Sequence, residues 1–157
     1  MKALAVVLAI VGAFLVQTLG GRYFSPIQSY LDLFLLTAAG FGLTQGRRVG
    51  MFSGTAAGLV QDVFSGAPPG LNGVSKTTIG YLAGIAGHRL VVRGWAGRFV
   101  FFAVATAADL AIVGAIGQVL ERPTVVGGPA DLLYLCAANG FTGALVLNLV
   151  DRFTVTR

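Results

Sequence analysis

Two rows of residues at four-residue steps hold most of the chemistry this chain offers. Gly50, Gly54, Gly58 and Asp62 stand along one run, and Asn72, Lys76, Gly80, Gly84 and His88 along the next. Residues four apart share one face of a helix. A face of small residues lets a second backbone come close, and a polar group in the row can hydrogen-bond across the gap. The expected occupant is a partner's single helix, docked on Gly54 and Gly58 first and on Gly80 and Gly84 next. For the glycines alone, tight packing is the more ordinary meaning of such a row.

The polar members of the rows carry more information, because a charge in an apolar run is costly, about 2.5–3.5 kcal/mol at the centre of a membrane-spanning helix. Asp62 falls near the end of its run and Lys76 near the start of the next, joined by the short Gly66-Ala-Pro-Pro-Gly70 turn. Two arrangements fit: an ion pair between Asp62 and Lys76, direct or through water, or separate snorkelling of each to the headgroups. Asp32 and Asp131 sit where helix N-termini are expected and suit capping. Asp109 lies deep in its apolar run, so it should face the bundle interior and is a functional candidate. Asn139 and Asn148 are placed to bond across helices. The functional polar set read from the sequence is therefore Asp32, Asp62, Lys76, Asp109 and Asn139. None of these forms a catalytic constellation. His88 has no serine or cysteine nearby in sequence, and the chain holds neither a phosphate-cradling glycine loop nor a metalloprotease motif. With one cysteine, Cys136, and one histidine, no internal disulfide or Cys/His metal cluster can form. The expectation is a protein with no catalytic residues, metal or cofactor, and not an enzyme.

The elements that must position these residues are apolar runs. Hydrophobic residues make up 55% of the 157-residue chain and charged ones 11%, less than half the charge typical of a soluble domain, about 25%. A soluble core of this size cannot hide that much apolar surface, so a bilayer is the expected solvent. The runs are long and do not alternate, which favours helices over barrel strands. Six spans are expected: Ala3 to Gly20, Ile27 to Thr44, Val49 to Ser65, Leu71 to Val92, Arg98 to Leu120, and Ala130 to Phe153. Gly, Pro and charge mark the gaps, and the linkers leave one polytopic domain over residues 1–157. The first run is long for a signal peptide and lacks a clean cleavage site, so it is read as a span. With the N terminus inside, Lys2, Arg47, Arg48, Arg89, Arg93, Arg98, Arg152 and Arg157 fall on the cytoplasmic side and only Arg22 and Arg122 outside. Both ends are therefore expected in the cytoplasm. The net charge of +5 belongs to topology and to anionic lipid. Nucleic acid is not an expected partner, for no basic run is interleaved with aromatics.

The stretch Gly50 to Gly84, GMFSGTAAGLVQDVFSGAPPGLNGVSKTTIGYLAG, resembles the MreD family of bacterial rod shape-determining proteins. The resemblance rests on Gly54, Gly58, Asp62, Gly66, Gly70 and Tyr81. Weaker matches lie at YLDLFLL around Asp32, AADLAIVG around Asp109 and Asn139-Gly140. Lys76 is a charge unusual for its position in that family. The resemblance implies a multi-pass protein of the bacterial cytoplasmic (inner) membrane, a six-helix bundle similar to the substrate-binding components of energy-coupling-factor vitamin transporters. It further implies a scaffold and regulatory role in cell elongation and peptidoglycan synthesis. The partners implied are the bitopic scaffold MreC and, directly or through it, the MreB filament, the glycosyltransferase RodA and a class B penicillin-binding protein. Self-association is left open.

The alternative is a vitamin transporter's substrate-binding subunit, with Asp32, Asp62, Lys76 and Asp131 lining an outward pocket. The charge bias predicts that a fluorescent protein fused at either end will fluoresce in the cytoplasm. Alkaline phosphatase at the same ends should be inactive; an active fusion would refute the assigned orientation.

Overall fold

The computed structural model describes residues 2–23, 31–89, 94–121 and 128–155, and among them every regular element is a helix. In chain order these are α1 (Lys2–Tyr23), α2 (Leu33–Gln45), α3 (Arg47–Ser65), α4 (Leu71–Arg89), α5 (Gly94–Val119) and α6 (Pro129–Val155). α2 is the central element. It packs against all five others, while α5 and α6 form a hairpin and α1 lies against α2 and α3.

The helix ends follow from local chemistry. α2 starts at Leu33 because Asp32 caps it, its Oδ1 accepting from the Leu35 N–H at 2.9 Å. The second span was expected from Ile27; residues 27 to 30 lie outside the described ones, as do residues 90–93 at the expected end of the fourth. α2 and α3 are separated by Gly46 alone, at φ 89° and ψ 178°, a conformation essentially closed to residues with a Cβ. α3 stops at Gly66, whose left-handed φ of 66° sends its N–H back to the Asp62 carbonyl. α5 begins at Gly94, earlier than the expected Arg98. α6 opens on Pro129, which lacks the N–H that a helix start leaves unsatisfied.

α5 and α6 are long and apolar enough to cross a membrane. Mean hydropathy reaches 2.2 in Gly94–Val119 and 1.6 in Pro129–Arg152, with only 22% and 28% of those stretches buried. A soluble protein's core helix of that hydropathy would be mostly covered. Inside the described residues, small and polar side chains such as Ala38, Ala57, Ser53 and Ser75 share the interior with a few large apolar ones, Phe34, Leu35, Ile79 and Phe102 among them. Many other large apolar residues point out, as Phe52, Val63, Leu133 and Val119 do.

The glycine rows form the seam between α3 and α4. Each step of four along α3 is answered by a step of four back along α4. A Cβ on Gly50 would strike the Gly80 carbonyl, one on Gly54 the Lys76 carbonyl, and one on Gly58 the Asn72 carbonyl. Gly80 in turn abuts Gly50, and Gly84 abuts the backbone of Gly46 and Arg47. This corrects the expected docking face. Gly54, Gly58, Gly80 and Gly84 are occupied by the chain's own antiparallel neighbour and offer no surface to a partner.

A methyl group at the seam must push backbone against backbone. Gly54→Ala and Gly80→Ala are therefore expected to cost about 1–3 kcal/mol each through overpacking. Gly12→Ala and Gly114→Ala, where a Cβ meets open space, should be neutral or slightly stabilising. Thermal unfolding in detergent, followed by circular dichroism, separates the two pairs; equal melting would contradict the seam.

Candidate functional site

Five helices each bring a polar residue to one place inside the bundle. The centre is Lys76, in the second turn of α4 and completely buried. An ammonium group has three protons to place, and all three find oxygens. Nζ lies 2.9 Å from Asp32 Oδ2, 3.4 Å from Asp109 Oδ2 and 3.3 Å from Asn72 Oδ1. Asp32 comes from the start of α2, Asp109 from mid-α5 and Asn72 from one turn earlier on α4.

The two carboxylates are held in turn. Ser75, beside Lys76 on α4, donates its hydroxyl to Asp109 Oδ1 at 2.6 Å. Asp32 has one oxygen on the α2 N-terminus and receives Gln61 Nε2 of α3 on the other at 3.2 Å. The Asp32 N–H donates to Asn139 Oδ1 of α6 at 2.9 Å. Asn139 is fully buried and also donates to the Leu135 carbonyl one turn back. The local sequence explains this placement. Asp32 is near the centre because it caps a helix that starts inside the bundle. Ser75 and Lys76 face inward because the glycine seam turns that side of α4 towards α2 and α5.

Asp62 has a different task, and the expected pair with Lys76 is not formed. Its carboxylate closes the turn between α3 and α4. Oδ2 accepts from the N–H groups of Gly70 at 2.8 Å and Gly73 at 3.2 Å, and Oδ1 from the Asn72 N–H and side-chain amide, each at 2.9 Å. These are donors that the start of α4 leaves open, where a negative charge is also favoured by the helix dipole. Asn72 stands between the two residues that the sequence suggested as a pair, its amide towards Asp62 and its oxygen towards Lys76. Snorkelling is excluded as well, since Asp62 is 2% exposed and Lys76 0%.

Asp109 does face the interior, at 4% exposure. Asp131 lies in the first turn of α6, two turns before Asn139. Asn148 of α6 accepts from Arg98 Nη1 of α5 at 2.9 Å, and the same guanidinium is ion-paired with Asp151. This clamp closes the far end of the α5–α6 hairpin. Sequence reasoning missed Ser75, Gln61 and the Arg98–Asp151 pair. Their partners lie between 29 and 53 residues away, and a local pattern gives no sign of them.

The chemistry of the cluster is that of a clasp. An amine with every proton committed to an oxygen has no free lone pair for attack, and Asp109 and Asp62 have donors on both oxygens. What the cluster does is fix α2, α4, α5 and α6 at one level, with α3 attached through Gln61 and Asp62. Breaking a buried ion pair from one side leaves an uncompensated charge and typically costs about 3–5 kcal/mol. Lys76→Met is expected to lose stability of that order in detergent, and adding Asp109→Leu should recover part of it. A Lys76→Met protein as stable as the parent would contradict the clasp.

Compared with protein-family models, with curated proteins and with solved structures, the chain finds no significant match, so its function must be read from its own residues.

Proposed function

We propose that this chain is a six-span membrane protein of the MreD type, a scaffold and regulatory subunit of the bacterial machinery for rod-shaped growth. In this reading both ends lie in the cytoplasm. The protein holds a bitopic MreC-like partner and, through it, a RodA-like glycosyltransferase and its class B penicillin-binding protein. The observation that carries the reading is the fate of the ionisable groups. Those inside the bundle are bonded to one another and to backbone N–H groups, which suits a rigid platform rather than a reaction centre.

Three further features support it. The segment that resembles the family, Gly50 to Gly84, is the hairpin whose glycines make the α3–α4 seam and whose aspartate closes its turn. Large apolar residues face outward on α1, α3, α4, α5 and α6, including Leu8, Phe52, Leu82, Val104 and Leu133, as lipid-facing helices require. Arg47 and Arg48 at the α2–α3 junction, and Arg98 and Arg152 on the α5–α6 hairpin, fall at the end of the bundle opposite the uncharged α3–α4 turn. That is the asymmetry expected of a cytoplasmic face.

With the glycine seam filled from within, the partner's helix docks on an outward apolar face, where close packing and hydrogen bonds must supply affinity. Affinity purification in mild detergent, with identification of the retained proteins, tests the proposal. A single-span scaffold protein together with cell-wall synthases is the expected outcome. An ATPase module, or a small molecule retained by the purified chain, would replace it with the transporter reading.

A further inference from the structure

The cluster around Lys76 joins two carboxyl groups to one ammonium group. With all three ionised it holds an excess negative charge inside the bundle. The two carboxyl groups are not placed alike. Asp32 is 2.9 Å from Lys76 Nζ, caps α2 through the Leu35 N–H and receives Gln61 Nε2, and its side chain is 20% exposed. Its charge thus has the nearer contact with the ammonium group, a helix N-terminus and some solvent. Asp109 has less. Nζ is 3.4 Å from its Oδ2, its side chain is 6% exposed, and it sits midway along α5 in a stretch of mean hydropathy 2.2. Two carboxylates sharing one buried site do not both ionise readily, and the more deeply buried one keeps a proton.

Ser75 gives a second count. Its Oγ lies 2.6 Å from Asp109 Oδ1 and 3.3 Å from the Asp109 carbonyl oxygen. A serine hydroxyl has one proton to donate. Beside an ionised Asp109 both neighbours are acceptors, so one of the two contacts sets lone pair against lone pair. A proton on Oδ1 removes the conflict. The acid O–H donates to Ser75 Oγ, the Ser75 hydroxyl turns to the carbonyl, and Oδ2 still accepts from Lys76. Each contact then has one donor and one acceptor.

The helices packed on α5 are α2, α4 and α6, and among the described residues they bring no second cation to this level. α2 and its cap contribute Asp32. On α4, Tyr81 points outward, and His88 and Arg89 stand at the opposite end from Lys76. α6 carries Asp131 in its first turn and Asp151 and Arg152 near its end, with Tyr134 exposed and Cys136 a thiol. On α5 itself, Arg98 is paired with Asp151.

We propose that Asp109 is a proton-binding site, a neutral carboxylic acid at neutral pH, and that the ion pair of the cluster is Lys76 with Asp32. The ligand is a single proton, held on Oδ1 against Ser75. Binding it forms one O–H bond and turns one hydroxyl. Loss of the proton makes Asp109 a rival to Asp32 for the ammonium group. Asp32 caps α2, and its N–H holds Asn139 of α6, so the charge of Asp109 bears on how α2, α4 and α6 meet. This proton count rests on burial and contacts, and is independent of the partners proposed above.

Infrared spectra of the full chain in phosphatidylcholine bilayers at neutral pH test the proposal, with aspartate isotopically labelled at its side-chain carboxyl carbon. The parent is expected to show a carboxylic-acid C=O band that shifts with the label. Asp109→Asn should abolish that band, and Asp62→Asn should leave it. No label-sensitive acid band in the parent would overturn the proposal, as would a band that survives Asp109→Asn or one lost with Asp62→Asn. Thermal unfolding in detergent shows whether the variant folds and gives a second reading. An amide has the shape and neutrality of the protonated acid, so Asp109→Asn is expected to melt close to the parent. A fall as large as that of Lys76→Met would show that the charged form is the one the bundle needs, and would also overturn the proposal.

Discussion

One ammonium group and the three oxygens around it set the geometry of this bundle. Lys76 cannot reach water, so its charge must be met by Asp32, Asp109 and Asn72 or not at all. A buried ion pair gains little over well-packed apolar residues, but it is costly to leave half-made. It therefore specifies an arrangement more than it strengthens one. α2, α4 and α5 have one relative height and rotation at which all three contacts close. Ser75 and Asn139 then bind the same groups from the side and bring α6 to the same register.

The glycine seam and the charge cluster depend on each other. Backbone contact at Gly50, Gly54 and Gly58 brings α3 and α4 close enough for Asp62 to reach round the turn and for Gln61 to reach Asp32. It also places small residues along the interior seam, while many bulky ones on α3 and α4, such as Phe52, Val63 and Leu82, face out. Close contact, inward polarity and an apolar exterior are thus one design, suited to a solvent that offers no hydrophobic drive between helices and no hydrogen bonds to open donors.

Much of this was legible in the sequence, and the reasons for the rest are physical. Apolar runs and their Gly and Pro boundaries gave the helices, because length and composition are local properties. Asp32 was readable as a cap from its place before an apolar run, and Asp109 as inward-facing from its depth. The partner of Lys76 was not readable. Asp62 and Lys76 lie at similar depth on neighbouring helices, but a pair also needs helix rotation, and spacing does not encode rotation between helices. The same blindness misassigned the glycine rows. A four-residue step shows that a face accepts a close neighbour, and says nothing about whether that neighbour is α4 of the same chain or a helix of another. Ser75 acquired its role from Asp109, 34 residues away, through a fold that no local pattern reveals.

The claim beneath all of this is that Lys76 bridges Asp32 and Asp109 inside the bundle. The chain has only two lysines, Lys2 and Lys76, so solid-state NMR of the protein in bilayers can isolate the Lys76 nitrogen. Measurement of its dipolar coupling to aspartate carboxyl carbons addresses the claim directly. Strong short-range dephasing is predicted, lost in part with Asp32→Asn and in part with Asp109→Asn, when the amide carbon is no longer labelled as a carboxylate, and untouched by Asp62→Asn. Coupling that vanishes with Asp62→Asn, or no close carboxyl carbon at all, would contradict the structure at its centre.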